Sequence, residues 1–323
     1  MNELERIAYL AARFGVGGPA VRVGIGDDAA VLEGFLGSLV WTVDAQVDRT
    51  HFRVEWASFY DVGFRSFMAA ASDLAAMGAE PVAALSSLVL APSVNDEALG
   101  ALSAGQADAA RDVGAPIVGG NLARGNETSV TTTLLGRATH PVLRSGARAG
   151  DLLLLAGDVG LAGAGLLALL HHVQDARIAP CLEAWRRPRA RMADGRMLAA
   201  FAQQGHAHAA IDISDGLARD ASHIAQASGV RLVFNAEKLA THVGPKLRAA
   251  ADVLGRDPLS LALYGGEDYA LLVASDVPID GFSCVGVVEP VSGDDKPRVE
   301  LRGCSGKSEL EPRGFDHFGP LSS

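Results

Sequence analysis

Acidic side chains recur at the ends of apolar segments, each beside small or flexible residues. Asp27 and Asp28 follow Val23 to Gly26, Asp44 follows Val40 to Val43, Asp73 lies in an apolar helical stretch, and Asp212 and Asp215 flank Ile213 and Ser214. A strand end or helix start next to glycine lets backbone and side-chain oxygens converge. Hard cations such as Mg²⁺ take oxygen ligands and leave room for retained water and nucleotide phosphates. Taken singly, each aspartate is equally a cap or turn residue. Taken together, they point to chemistry on phosphate groups with divalent cations.

Three glycine motifs compete for that phosphate. Residues 303–308, Gly-Cys-Ser-Gly-Lys-Ser, look like the end of a phosphate loop, but the required first glycine falls on Leu301 and no helix pattern follows. Residues 24–29 and 163–168 both match the dinucleotide fingerprint G-x-G-x-x-A. The first carries two carboxylates where a bare pyrophosphate would sit, so it could take phosphate only through a metal. The second reads as small residues that let a helix pack closely on a sheet.

The elements that must position the acids alternate. Leu4, Ile7, Ala8, Ala11 and Phe14 form one helical stripe that stops at Gly15. Strands are expected at residues 39–44, 82–90, 116–118 and 129–135, with helices at 59–77 and, capped by Asn95, up to Val113. A Gly-, Arg- and Ala-rich stretch at 141–150 marks a boundary, so the expected domains are 1–143 and 144–323. Beyond it the pattern predicts strands at 152–155, 231–234, 269–273 and 285–288, and one ending at Ile213. Helices are expected at 161–172 and 182–203, with another starting at Asp215. Two α/β or α+β halves follow.

The chain has 323 residues, enough for two cores, and its net charge of −10 argues against a nucleic-acid footprint. Its 3 cysteines provide neither a disulfide framework nor a zinc-finger spacing, which fits a reducing cytoplasm. The N-terminus lacks a signal-peptide pattern, and the apolar run 152–170 is broken by Asp158 and glycines, so no membrane span is expected.

Several ordered motifs carry a resemblance. Gly24 to Ala29, Val43-Asp44 through His51-Phe52, Ser72 to Gly78, Asp212 to Gly216, Tyr264 to Tyr269 and Gly314 to Phe318 resemble the thiamine-monophosphate kinase family. The likeness implies an aminoimidazole-ribonucleotide-synthetase-like fold of two α/β domains. It also implies a homodimer paired through the N-terminal domains and γ-phosphoryl transfer from ATP to thiamine monophosphate with several Mg²⁺ ions. By the same resemblance Asp27, Thr42, Asp44, Asp73, Asp212 and Asp215 would hold metal, with the backbone of Val43 contributing. Gly120, Asn121, Arg144 and Ser214 would lie near ATP, and His51, Glu267 and Phe315 would face thiamine monophosphate. Asn121 stands where the family has an aspartate, so a neutral amide oxygen replaces one anionic metal ligand.

Residues 48–50 also depart from the family's acceptor segment. The acceptor phosphate is already ionised near neutral pH, so no general base is nominated; positioning and charge neutralisation carry the reaction. Relatives of the same superfamily remain alternatives. Selenophosphate synthetase and the hydrogenase-maturation dehydratase need terminal cysteines, and the first cysteine here is Cys181. Aminoimidazole ribonucleotide synthetase and a non-catalytic nucleotide-binding module weakened at Asn121 stay open.

Overall fold

A computed structural model describes residues 3–15, 21–23, 31–32, 34, 37–292, 295–304 and 306–314. The chain divides into two compact units, residues 1–74 with 79–139 and residues 75–78 with 140–323.

The first unit comprises α1 (Glu3–Phe14), a two-stranded antiparallel pair β1 (Val21–Val23) and β2 (Val31–Leu32), then β3 (Ser38–Val47), α2 (Phe59–Ala76), β4 (Glu80–Leu90), α3 (Asp96–Val113), β5 (Ile117–Arg124) and β6 (Ser129–Ala138). Its sheet has the order β3-β6-β4-β5, antiparallel except for β4 and β5. A parallel pair needs a crossover connection, and α3 supplies it. Asn95 caps α3 by accepting from Ala98 N–H, as the sequence predicts, and Gly114 ends the helix in the left-handed conformation.

Glycine sets the closeness of α2 and α3. A Cβ on Gly63 would lie 2.0 Å from the Leu102 carbonyl oxygen, and one on Gly105 would lie 2.0 Å from that of Tyr60. Helix α2 is buried almost throughout, and its apolar wall includes the fully buried Phe67, Ala70, Ala71 and Leu74. Strand β3 alternates in the period expected of a sheet with one covered face: Val40 and Gln46 are buried, whereas Leu39, Trp41 and Val43 are exposed.

Strand β5 corrects the sequence reading. A strand expected to end near Val118 runs on to Arg124, so Gly120 and Asn121 are strand residues rather than loop residues. Gly120 makes this possible. A Cβ there would lie 1.8 Å from the Ser86 carbonyl oxygen, and its φ of +155° suits glycine.

The second unit runs β7 (Leu152–Ala156), α4 (Leu161–Leu170), a 3-10 turn (Ala176–Ile178), α5 (Ala179–Arg186), α6 (Met192–Gln203), β8 (Ala207–Ile213), α7 (Leu217–Ser228), β9 (Val230–Asn235), α8 (Ala236–His242), α9 (Pro245–Leu254), α10 (Pro258–Tyr264), β10 (Ala270–Ser275), β11 (Ser283–Pro290), β12 (Arg298–Gly303) and β13 (Gly306–Glu309). The strand order is β13-β12-β9-β11-β7-β10-β8, mostly antiparallel. Its core gathers Leu153 and Leu155 of β7, Ile211 and Ile213 of β8, Leu217 and Ile224 of α7, and Leu272 of β10.

Three expectations change here. The helix predicted over 182–203 is two helices, because the chain breaks around Pro188. The helix expected from Asp215 starts at Leu217. The glycine pair of residues 163–168 does serve close packing, but not on a sheet: Cβ atoms would meet the Gly265 Cα at 2.7 Å and the Cys181 carbonyl oxygen at 2.2 Å. The phosphate-loop decoy of 303–308 falls on the antiparallel strands β12 and β13.

Candidate active site

In the first unit, β3 delivers three of the expected residues in alternation. Thr42 and Asp44 share the covered face with Val40 and Gln46, while Val43 turns its side chain to the open face and is exposed. Helix α2 brings Asp73 to the same face, where its Oδ2 accepts a hydrogen bond from the Thr42 hydroxyl. Asp44 Oδ1 accepts from Gln46 Nε2 at 3.1 Å, and Gln46 Oε1 accepts from Arg65 Nε at 3.3 Å.

The sheet register sets a row of Asp44, Thr132, Ser86 and Gly120 across four strands. Side chains directly opposite one another share a face. Ser86 is tied to Gln106 of α3, whereas the fully buried Thr132 hydroxyl has no hydrogen-bond partner. Asn121 is one position along, opposite Ser87, and exposed. The alternation therefore puts Asn121 on the face opposite to Thr42 and Asp44, and the fold of this unit does not bring it to them.

His51 closes a tight turn after β3. Its own N–H and that of Thr50 donate to the Val47 carbonyl, Arg49 takes φ +64°, and the Val47 N–H donates to His51 Nδ1 at 3.1 Å. A ring nitrogen that accepts is unprotonated, so the proton of the neutral imidazole resides on Nε2, a donor suited to a phosphate oxygen.

In the second unit, the ends of β7 and β8 and the start of β10 lie at one edge of three adjacent strands. Their loops interlock through backbone. Glu267 N–H donates to the Ser214 carbonyl at 2.7 Å, and Tyr269 N–H donates to that of Ile213 at 2.8 Å. Glu267 and Tyr269 take φ of +60° and +50°, a conformation costly for residues with side chains and often retained at functional sites. Asp212 is 5% exposed at the end of β8, and Asp215 lies 3.6 Å from the Arg219 guanidinium. Arg144 is exposed, with its carbonyl accepting from the Ser228 hydroxyl.

Two carboxylates missed in the sequence brace these loops. Asp220 Oδ2 accepts from the N–H groups of Ser214, Asp215 and Gly216 at 2.9, 3.0 and 3.2 Å. Burial, then the Asp215 charge, push its carboxyl up to about 7 against those three donors. Asp268 accepts from Gly160 and Ala162 N–H at 2.6 and 3.0 Å, capping α4 from outside. Burial pushes it up to about 7 as well, with Glu267 and Asp158 adding repulsion. His223, on α7, is pulled below the usual histidine value by burial and by the charges of Arg144 and Arg219.

Asp220 was readable from its place five residues after Asp215 at a helix start, and Asp268 from its place inside the Tyr264 to Tyr269 motif. Gln46 was marked by sharing the strand face with Asp44; Arg65 and Thr132 had no sequence signal. Asp27 and Phe315 lie outside the described residues.

The donors of the first unit fit a hard cation. Thr42, Asp44 and Asp73 offer oxygen alone, and the orphaned Thr132 hydroxyl sits beside Asp44 with no protein acceptor or donor to satisfy it. Among the described residues no three His, Cys, Asp or Glu side chains form a complete metal cage. A partial shell of this kind matches Mg²⁺, which keeps several waters.

Family models for the N-terminal and C-terminal domains of AIR synthase related proteins match residues 26–138 and 148–280. Thiamine-monophosphate kinase of Mycobacterium tuberculosis is 36% identical over 274 residues, covering 83% of this chain and 79% of the relative. The Aquifex aeolicus kinase is 31% identical over 300 residues, covering 91% and 92%. A solved structure of AaThiL complexed with AMPPCP and TMP superposes with a TM-score of 0.77 at 29% identity, covering 98% of this chain and 97% of that one. The hydrogenase maturation protein HypE shares the fold, with a TM-score of 0.77 at 20% identity over 99% of both chains. The alternatives of another superfamily enzyme or an inactive binding module are not favoured by these relatives, and the chain belongs to the thiamine-monophosphate kinase family.

Proposed function

We propose that the protein transfers the γ-phosphoryl group of ATP directly to the phosphate of thiamine monophosphate, giving thiamine diphosphate and ADP. The observation that carries the reading is the pairing of Thr42 with Asp73 on the face that also holds Asp44, an all-oxygen set in a chain whose relatives are kinases. Mg²⁺ ions, held in the first unit by Asp44, Asp73 and Thr42 with Asp27 and the backbone of Val43, and in the second unit by Asp212 and Asp215, would neutralise the charge of two polyanionic substrates, while Asn121, on the other face of its sheet, would ligate only a separate ion.

The protein's own groups do the positioning. His51 donates from Nε2 to the acceptor phosphate. Arg144, with its planar fork of donors, binds ATP phosphate, Gly120 offers bare backbone to the nucleotide, and Ser214 offers a small side chain. Glu267 faces the cationic thiamine moiety and Phe315 stacks on it. Asp220 and Asp268 hold the Ser214 and Glu267 loops in place without touching the reacting atoms. No proton needs to leave the acceptor, so no base is required.

Domain roles follow the 1–143 and 144–323 division, with ATP, metal and pairing assigned to the first part and substrate and further nucleotide contacts to the second. We assign the pairing face of a homodimer to the open side of the four-stranded sheet, where Trp41 is 70%, Val43 63% and Leu39 56% exposed. The cytoplasm is the expected compartment. Among the described residues no helix is long and apolar enough to cross a membrane.

The test is product analysis. With Mg²⁺ and ATP, thiamine diphosphate is expected to form from thiamine monophosphate and not from thiamine. Asp44→Asn and Asp73→Asn are each expected to slow this by about a hundredfold, some 2.7 kcal/mol of barrier. Phosphate release without thiamine diphosphate would refute the transfer, and full activity of both variants would refute their role.

A further inference from the structure

We propose that Gln46 is a positioning residue for Asp44, locked in a single orientation by the buried guanidinium of Arg65. The proposal rests on the reading of Asp44 as a cation ligand. Gln46 is 3% exposed and Arg65 1%, so neither has a solvating role. Arg65 Nε faces Gln46 Oε1 at 3.3 Å, and Gln46 Nε2 faces Asp44 Oδ1 at 3.1 Å.

The chemistry permits one arrangement. A guanidinium has donors and no acceptor, and an ionised carboxylate has acceptors and no donor. Between them an amide must turn its oxygen to the arginine and its NH₂ to the aspartate; the flipped amide would oppose donor to donor and acceptor to acceptor. Gln46 thus reads the charge of Arg65 and passes on a fixed donor. Asp44 and Gln46 are two residues apart on the covered face of β3, and Arg65 comes from α2, the helix that carries Asp73. The relay therefore fixes one ligand relative to the element that delivers the other. A carboxylate already oriented loses less freedom when a cation arrives, which is how partners behind a ligand raise metal affinity.

The experiment compares the full-length parent with Gln46→Met, which keeps the length and removes both hydrogen bonds. The readout is the Mg²⁺ concentration giving half of the thermal-unfolding shift in saturating AMPPCP, alongside the Mg²⁺ dependence of the steady-state rate. For Gln46→Met both midpoints are expected to rise about tenfold, with kcat at saturating Mg²⁺ close to the parent's. Should that variant fail to fold, Gln46→Asn reads the same property, because an amide one methylene shorter cannot span both partners. Arg65→Lys, which keeps a donor for Oε1, is expected to stay nearer the parent than either.

Asp44→Asn is run in parallel. If it shifts the Mg²⁺ midpoint and the folded Gln46 variant does not, the positioning role is overturned and the metal role stands. If Asp44→Asn leaves the midpoint unchanged, the metal reading of Asp44 fails and the proposal falls with it.

Discussion

The Thr42 hydroxyl donates to the Asp73 carboxylate, joining a strand to a helix across 31 residues of chain. The contact uses β3 alternation on one side and the burial of α2 on the other, so each element checks the placement of its partner. Hydrogen bonds to charged groups contribute about 1.5–3 kcal/mol, and this one keeps some exposure, which trims it. Thr42→Val, which preserves shape, is expected to lower the unfolding free energy by about 1–2 kcal/mol and raise the Mg²⁺ requirement. Urea denaturation and a Mg²⁺ titration of the rate check the two effects; a variant as stable as the parent would show that the contact contributes nothing.

Asp44 was legible in the sequence as a carboxylate following an apolar run, and Thr42 through the family resemblance; the structure puts both on one parity of β3. Of their support, only the shared strand parity of Gln46 was legible. Gln46 acquires its meaning only when α2 folds back and brings Arg65, which no spacing along the chain announces. The same limit applies to the fold. Helices α8, α9 and α10 are too short for apolar periodicity, although Asn235, Pro245, Asp257 and Pro258 marked their starts as caps and first-turn prolines. Strand β5 was cut short at Val118, before Gly119 and Gly120, and it is Gly120 that allows the close approach of β4.

Trp41 presents the largest exposed apolar surface named on the open sheet face. If that face pairs two copies, a charge placed on it at Trp41 is buried without a partner and opposes association strongly. Trp41→Asp is expected to elute as a monomer in light-scattering chromatography while retaining its circular dichroism, because the residue points away from the unit's own core. A parent that is itself monomeric at micromolar concentration would end the pairing assignment.

Gly120 has no room for a methyl group. Alanine there would put Cβ 1.8 Å from the Ser86 carbonyl oxygen in a conformation that L residues avoid, so β4 and β5 must part locally. Gly120→Ala is expected to cost about 3 kcal/mol or more, at the upper end of overpacking and strain penalties. Gly114→Ala is a useful contrast: nothing lies near its Cβ, so only the positive φ of a helix end is penalised, by about 1 kcal/mol. Equal losses in the two variants, measured by denaturant midpoint, would show that close approach is not what selects glycine at position 120.

Asp268 gives the protein a stability that depends on pH in a defined direction. The residue keeps part of its surface accessible, yet its carboxyl lies deep in the loop cluster, and burial raises it from 3.8 to about 7 despite two N–H donors. A raised carboxyl binds its proton more tightly in the folded chain than in the unfolded one. Its favourable contribution is therefore complete below about pH 4 and is lost as pH rises through 7, where the folded state must hold a buried charge near Glu267 and Asp158. Asp268→Asn holds that side chain neutral at every pH. Relative to the parent, its melting temperature is expected to climb from pH 4 to 8 and then level off, as read by thermal unfolding at fixed ionic strength. Parallel curves for the two proteins would mean that the carboxyl does not change charge in this window and that the N–H groups of Gly160 and Ala162 outweigh its burial.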